Sequence, residues 1–171
     1  DGAGHFQLIL GTFHSRIAVY IGKLLYLIVL AVFATILCVF LFDVLYPVMP
    51  FSFYIKPLII LILAGIPIYL ISIFVGFSLG KSVAMGLGIV GSLLSALLVT
   101  GLGDFIWKFL PWGWGVRFMD YCVLQCVNER QFYSTFHEFQ LGFIFMLIFT
   151  VVLFIISLMW FQRWEGGKEN E

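Results

Sequence analysis

Hydrophobic residues fall along this chain in four long runs, each bounded by charge. Residues 24–42 lie between Lys23 and Asp43, 57–80 between Lys56 and Lys81, 82–103 between Lys81 and Asp104, and 139–162 between Glu138 and Arg163. An α-helix needs about 20 predominantly apolar residues to cross a bilayer, so each run predicts a transmembrane helix. Pro67 removes a backbone hydrogen bond in the middle of the second run and predicts a kink there. The turn at Gly80-Lys81-Ser82 is very short, which predicts a tight antiparallel hairpin of the second and third spans. Pro47, Pro50 and Pro57 mark an exposed loop between the first two.

Two stretches depart from this pattern. In residues 3–21, Phe6, Ile9, Leu10, Phe13, Ile17 and Tyr20 recur at helical spacing, while His5, Gln7, Thr12, Ser15 and Arg16 lie largely elsewhere. That is an amphipathic helix, too polar to span and suited to lying at the membrane surface. It serves either as an anchor or as a docking helix for a cytoplasmic partner. Residues 104–138 mix Asp104, Lys108, Arg117, Asp120, Glu129, Arg130 and Glu138 with many aromatics. This stretch is too apolar for a free loop. It predicts one or two short helices against the membrane face, or a partly re-entrant element. The fold expected is therefore all-α and integral to the membrane: an amphipathic interfacial helix, four transmembrane helices, and short extracellular helices before the last span.

Composition agrees with that architecture. Hydrophobic residues make up 63% of the 171 and charged residues 11%, against about 25% charged in soluble domains. Nine basic residues balance nine acidic ones, so nothing points to nucleic acid or to a polybasic lipid anchor. With both ends inside, Arg16, Lys23, Lys81, Arg163 and Lys168 are cytoplasmic, against Lys56, Lys108, Arg117 and Arg130 outside. The positive-inside rule favours that orientation by a single residue. The chain opens at Asp1 with no signal-peptide pattern, which suggests an amino-terminal truncation.

The third run carries an excess of small residues: Gly86, Gly88, Gly91, Ser92, Ser95, Gly101 and Gly103. Small side chains let helix backbones approach closely, so this span is expected at the centre of the bundle as a packing helix. Asp104 ends the run, and Trp107, Trp112 and Trp114 follow around Pro111. Indole rings favour the membrane interface, which makes these tryptophans first an interfacial belt and second a ligand-contacting surface.

Candidate chemistry is sparse. The glycines at 86, 88 and 91 lack the Lys-Ser/Thr ending of a phosphate-binding loop, so no nucleotide site is expected in this chain. No charge lies near the centre of any run, which weighs against a proton relay or ion path. His5, His14 and His137 lie at or outside the span ends and are poorly placed to ligate haem at membrane depth. Cys38 reads as a small core residue. Cys122 and Cys126 share a helical face at a spacing unsuited to a disulfide, and a structural role is favoured over a metal. No catalytic residue, metal or cofactor is expected, and the chain reads as a non-enzymatic membrane subunit.

One resemblance carries further. Residues 86–118, GLGIVGSLLSALLVTGLGDFIWKFLPWGWGVRF, resemble the penultimate helix and following segment of the lantibiotic-immunity permeases, ABC-2-type membrane subunits through which producers of peptide antibiotics protect themselves. The tail RWEGGKENE is similar to theirs. Residues 3–25, AGHFQLILGTFHSRIAVYIGKLL, resemble the cytoplasmic helix that precedes the third membrane helix of such permeases. The resemblance implies a six-helix subunit of which this chain lacks the first two helices, in a bacterial plasma membrane. It also implies an ATP-binding subunit docked through Phe6, Leu10, Phe13 and Arg16, and a second permease subunit, identical or homologous. Residues 104–138 then become extracellular, with Asp104, Trp107, Trp112 and Trp114 on the substrate's side and a lantibiotic-type peptide expelled from the lipid. The alternatives are an ABC-2-type permease for another peptide or a lipid-linked compound, and a membrane scaffold that transports nothing.

Overall fold

The computed structural model describes residues 16–45 and 51–163. Among them are five α-helices: α1 (Arg16–Leu45), α2 (Ile55–Ser78), α3 (Lys81–Val99), α4 (Pro111–Val127) and α5 (Glu129–Arg163). Short 3₁₀ turns cover Phe51–Tyr54, Gly101–Gly103 and Trp107–Phe109. Four of the helices, α1, α2, α3 and α5, are long and apolar enough to cross a membrane, which marks a multi-pass membrane protein. Their outward surfaces carry large exposed side chains such as Phe33, Phe40, Met85, Leu93 and Ile148, as hydrocarbon requires and water would penalise.

The first span begins earlier than its charge-free run. Helix α1 passes without a break from Arg16 through Lys23, so residues 16–21 extend the spanning helix and do not close a separate surface helix. Phe6, Leu10, Phe13 and the rest of the amphipathic stretch before residue 16 lie outside the described residues, as do Pro47, Pro50 and the tail after Arg163. Cys38 lies on an exposed face of α1, not in the core.

Helix α2 continues through Pro67, which is buried. Two residues, Leu79 and Gly80, connect it to α3. Gly80 has φ +92°, a backbone region open to glycine and strained for other residues, which allows the chain to reverse so abruptly. Helix α3 ends at Val99, short of the predicted Gly103, because Gly101 and Gly103 belong to the 3₁₀ turn that follows.

Two clusters hold the bundle together. At the end bearing Lys23, Lys81 and Arg163 (the near end), Tyr20, Leu24, Leu70, Ile73 and Phe161 pack together. There the Tyr20 hydroxyl donates to Ser157 Oγ at 2.8 Å, and Ser157 in turn donates to the Phe154 carbonyl. A buried pair satisfied in this way ties α1 to α5 where few other contacts join them. Toward the opposite, far end, Ile60, Ala64, Leu98, Trp107, Trp114, Phe118, Cys122 and Met146 form the larger cluster.

That larger cluster overturns the expected centre of the fold. Helix α4 packs against α2, α3 and α5 at once. It buries Pro111, Gly113, Trp114, Phe118 and Cys122, whereas α3 buries only Gly91 and Leu98. The organising helix thus comes from the segment expected to lie outside the membrane. The reason is aromatic volume: Phe118 meets Trp107, Phe139 and Phe143, and Trp114 meets Phe149, all at ring-centroid distances of 5.4 to 5.9 Å. Tilted and edge-on rings at such separations attract beyond simple contact.

Candidate functional site

The link from Thr100 to Leu110 dips into the bundle, and α4 returns from it. After α3 ends, Lys108 pairs with Glu138, the Trp107 ring lies over Gly142, and Phe109 meets Phe145 at 5.1 Å. Trp114 then meets Phe149. Glu138 and Phe149 are about 16 Å apart along α5 at 1.5 Å per residue. Helix α4 therefore starts deep in the bundle and climbs back, with Lys56 donating to Gln125 near its end. Contacts with α3 agree: Trp112 sits at Gly91 and Ser95, midway along α3, while Arg117 reaches Leu98 and Thr100. Helices α3 and α4 run parallel, and the short link between them must descend. Of the two arrangements open for this stretch, the geometry is that of the re-entrant element.

Irregular backbone at membrane depth is tolerated only when its polar groups find partners inside the protein. Here they do. Pro111 occupies the first turn of α4, where a missing N–H costs nothing. The Trp114 indole N–H donates to the Lys108 carbonyl at 3.0 Å, and the Ser95 hydroxyl to the Trp112 carbonyl at 2.8 Å. Arg117 donates through Nε to the Leu98 carbonyl at 2.6 Å and through Nη2 to the Thr100 carbonyl at 2.9 Å. It also pairs with Asp104. A cation at the carboxyl end of α3 complements both the unpaired carbonyls and the helix dipole.

The tryptophans do not form a belt. Trp107 and Trp114 are 2% and 0% exposed, so they fill the core and offer nothing to a ligand. Trp112 is the one of the three that reaches a surface. It lines a groove of about 450 Å³ between α2, α3 and α4, with Ala64, Gly65, Ile68, Ser95, Gly115 and Met119 among its walls. Asp120 stands at the groove's rim, with no hydrogen bond or ion pair among the described residues. Partial desolvation by the protein around it raises its carboxyl pKa, and Arg117 pulls it partway back. Asp104 is exposed but held by Arg117. Cys122 is buried, which pushes its thiol up and leaves it inert, while the Cys126 thiol donates to the Cys122 carbonyl.

The small residues of the third run divide sharply. Gly91 admits Trp112, since a Cβ there would stand 1.8 Å from the indole nitrogen, and Ser95 holds the Trp112 carbonyl. Gly103 is buried against the Leu98 backbone. Gly86 and Gly88 meet nothing within 4 Å, Ser92 is exposed and donates to its own helix, and Gly101 is exposed in the turn. Among the described residues those four pack against no other helix. Gly91→Ala is expected to cost about 1 to 3 kcal/mol by forcing the indole aside. Gly86→Ala and Gly88→Ala should each stabilise by several tenths of a kcal/mol through helix propensity. Unfolding of the three variants in mixed bicelles checks the opposite signs.

Two positions that shape this site are not legible in the sequence. Arg117 stood out only as one charge among several. Its signal was its isolation among aromatics, since a cation so placed needs acceptors nearby. Gly142 gave a fainter one, a lone glycine in a Phe-rich run, where it makes room for the Trp107 ring. No family model, curated protein or solved structure matches this chain.

Proposed function

We propose that this chain is the membrane subunit of an ABC-type transporter that expels an amphipathic, lantibiotic-type peptide from the bilayer for self-protection. The resemblance of residues 86–118 to the immunity permeases motivates the reading, and the groove beside Trp112 is the observation that carries it. Its walls are largely apolar, it lies between α2, α3 and α4, and its rim holds Asp120, which has no hydrogen bond or ion pair among the described residues. An apolar peptide face fits such walls, and a cationic side chain fits that carboxylate. In this reading the Lys56–Gln125 end faces outward, and α4 rises from mid-membrane toward that face. ATP binding by a partner subunit then shifts a pair of permeases between two packings, which requires the partner's contacts to differ between the two states.

Phe6, Leu10, Phe13 and Arg16 are the contacts proposed for the ATP-binding subunit. Purification of the full-length protein from its native membrane in mild detergent is expected to recover that subunit, identified by mass spectrometry. Phe6→Asp, Leu10→Asp and Phe13→Asp together should abolish recovery while leaving the bundle folded. Absence of any ATP-binding subunit across several detergents removes the energy source and turns the reading to a scaffold.

A further inference from the structure

The groove beside Trp112 is charged at one end only. Trp112 lines it near the start of α4, level with Gly91 midway along α3, and Asp120 lines it eight residues later. At 1.5 Å per residue the two stand about 12 Å apart along the helix, with Asp120 toward the far end. Between them the walls are apolar, with Leu61, Ile68 and Met119, and the Ser95 hydroxyl is committed to the Gly91 and Trp112 carbonyls. Asp120 makes no hydrogen bond or ion pair among the described residues. Arg117 lies one turn before it, but that guanidinium already holds the Leu98 and Thr100 carbonyls and Asp104. Residues 61–68 and 115–120 are helical, so their backbone groups are occupied in their own ladders and none is free to read a peptide bond.

From this arrangement we propose that the groove binds small amphipathic organic cations, with one ammonium at Asp120 and an apolar body running down to Trp112. The inference rests on the reading of this groove as the substrate site and narrows it: a charge and an apolar body suffice, and a peptide backbone is not required. An anion would be repelled by the Asp120 carboxylate. A neutral molecule would leave that carboxylate without a counterion, and a small hydrophilic cation would leave the apolar walls unused. The volume of about 450 Å³ falls within the range of about 300 to 1,000 Å³ typical of small-molecule sites. Orientation follows from depth: the ammonium stays toward the far-end interface and the body lies toward mid-membrane, so no ligand charge is carried to the bilayer centre.

The test uses the full chain in phosphatidylcholine nanodiscs, with three probes that share a decyl chain ending in a photoactivated diazirine. Their headgroups are trimethylammonium, hydroxyl and sulfonate, and they are compared at equal mole fraction in the bilayer. Labelling of α2 and α4 residues around the groove is read by peptide mass spectrometry. The ammonium probe should label about fivefold more than the hydroxyl probe, the scale of one partly exposed ion pair, and the sulfonate probe less than either. Asp120→Asn should bring the ammonium and hydroxyl probes level, and Asp120→Glu should keep them apart. Asp43→Asn, on α1 and outside the groove, should change nothing. Gly115→Leu should block the ammonium probe, since a Cβ there meets only Leu61 at 3.7 Å and the longer side chain fills the groove. Equal labelling by the three probes overturns the proposal, as does a preference that survives Asp120→Asn or that Asp43→Asn removes. An amphipathic lysine-rich peptide carrying the same diazirine separates this inference from the transport reading. Labelling of the groove by the peptide and not by the ammonium probe overturns the inference alone. Labelling by the ammonium probe and not by the peptide supports the inference and removes the peptide as the groove's occupant. Far-ultraviolet circular dichroism verifies that each variant compared is folded, and the comparison of probes on unaltered protein decides even if a variant is not.

Discussion

Arg117→Met is expected to destabilise the bundle by about 3 kcal/mol, with the damage centred on the junction of α3 and α4. Hydrogen bonds to a charged group contribute about 1.5 to 3 kcal/mol each, and removing one partner of a buried group leaves the other unsatisfied. The Thr100 carbonyl also accepts from the Gly103 N–H at 2.9 Å and keeps a partner. The Leu98 carbonyl does not. Its fourth-following residue, Leu102, lies in a 3₁₀ turn beyond the helix end, so Arg117 takes the place of the missing helical donor. Arg117→Lys keeps the charge but cannot form the fork that reaches two carbonyls and Asp104, and should lose about half as much. Asp104→Asn should cost less than 1 kcal/mol, because its carboxylate side chain is 56% exposed and an exposed ion pair contributes little. Denaturant unfolding in bicelles, followed by tryptophan fluorescence, ranks the three. Equal losses for Arg117→Met and Asp104→Asn would mean that the ion pair, not the carbonyl cap, holds the junction.

Trp114→Ala should cost about 3 kcal/mol, at the low end of the range for emptying a buried aromatic site. The low end applies because the unfolded reference for a membrane bundle still lies in lipid. Transfer from water then contributes little, and the loss is mainly contact with Phe149 and its neighbours. Trp114→Phe keeps much of that ring contact but leaves the Lys108 carbonyl without the indole N–H, a loss of about 1 kcal/mol. Trp112→Ala is expected to cost less than Trp114→Ala, since Trp112 is only half-buried and borders the open groove. The reverse order would place Trp112, not Trp114, at the base of the re-entrant element.

Four spanning helices could be read from the charge-free runs because spanning is local physics. Length and hydropathy within a single segment are enough for it, and the runs at 57–80 and 139–162 fall within a few residues of α2 or inside α5. Gly80 likewise needed no tertiary information to mark a reversal, since its neighbours on both sides are spans. The place of α4 is different. A polar-containing, Trp-rich segment is compatible with a surface helix and with a re-entrant one, and only its packing against α2, α3 and α5 separates the two. Trp107 and Trp114 looked interfacial for the same reason: their composition matches a belt, and their burial depends on Gly142 and Phe149, far along the chain. The glycines of α3 show the limit most plainly. Gly86 and Gly91 are alike in sequence, yet one faces open space and the other receives an indole ring. In water, burial can be inferred from hydrophobic patterning, because an exposed face is polar. In a bilayer the lipid-facing and inward-facing sides are both apolar, so the sequence alone identified which segments cross the membrane, and the three-dimensional packing was needed to show which side of each faces its neighbours.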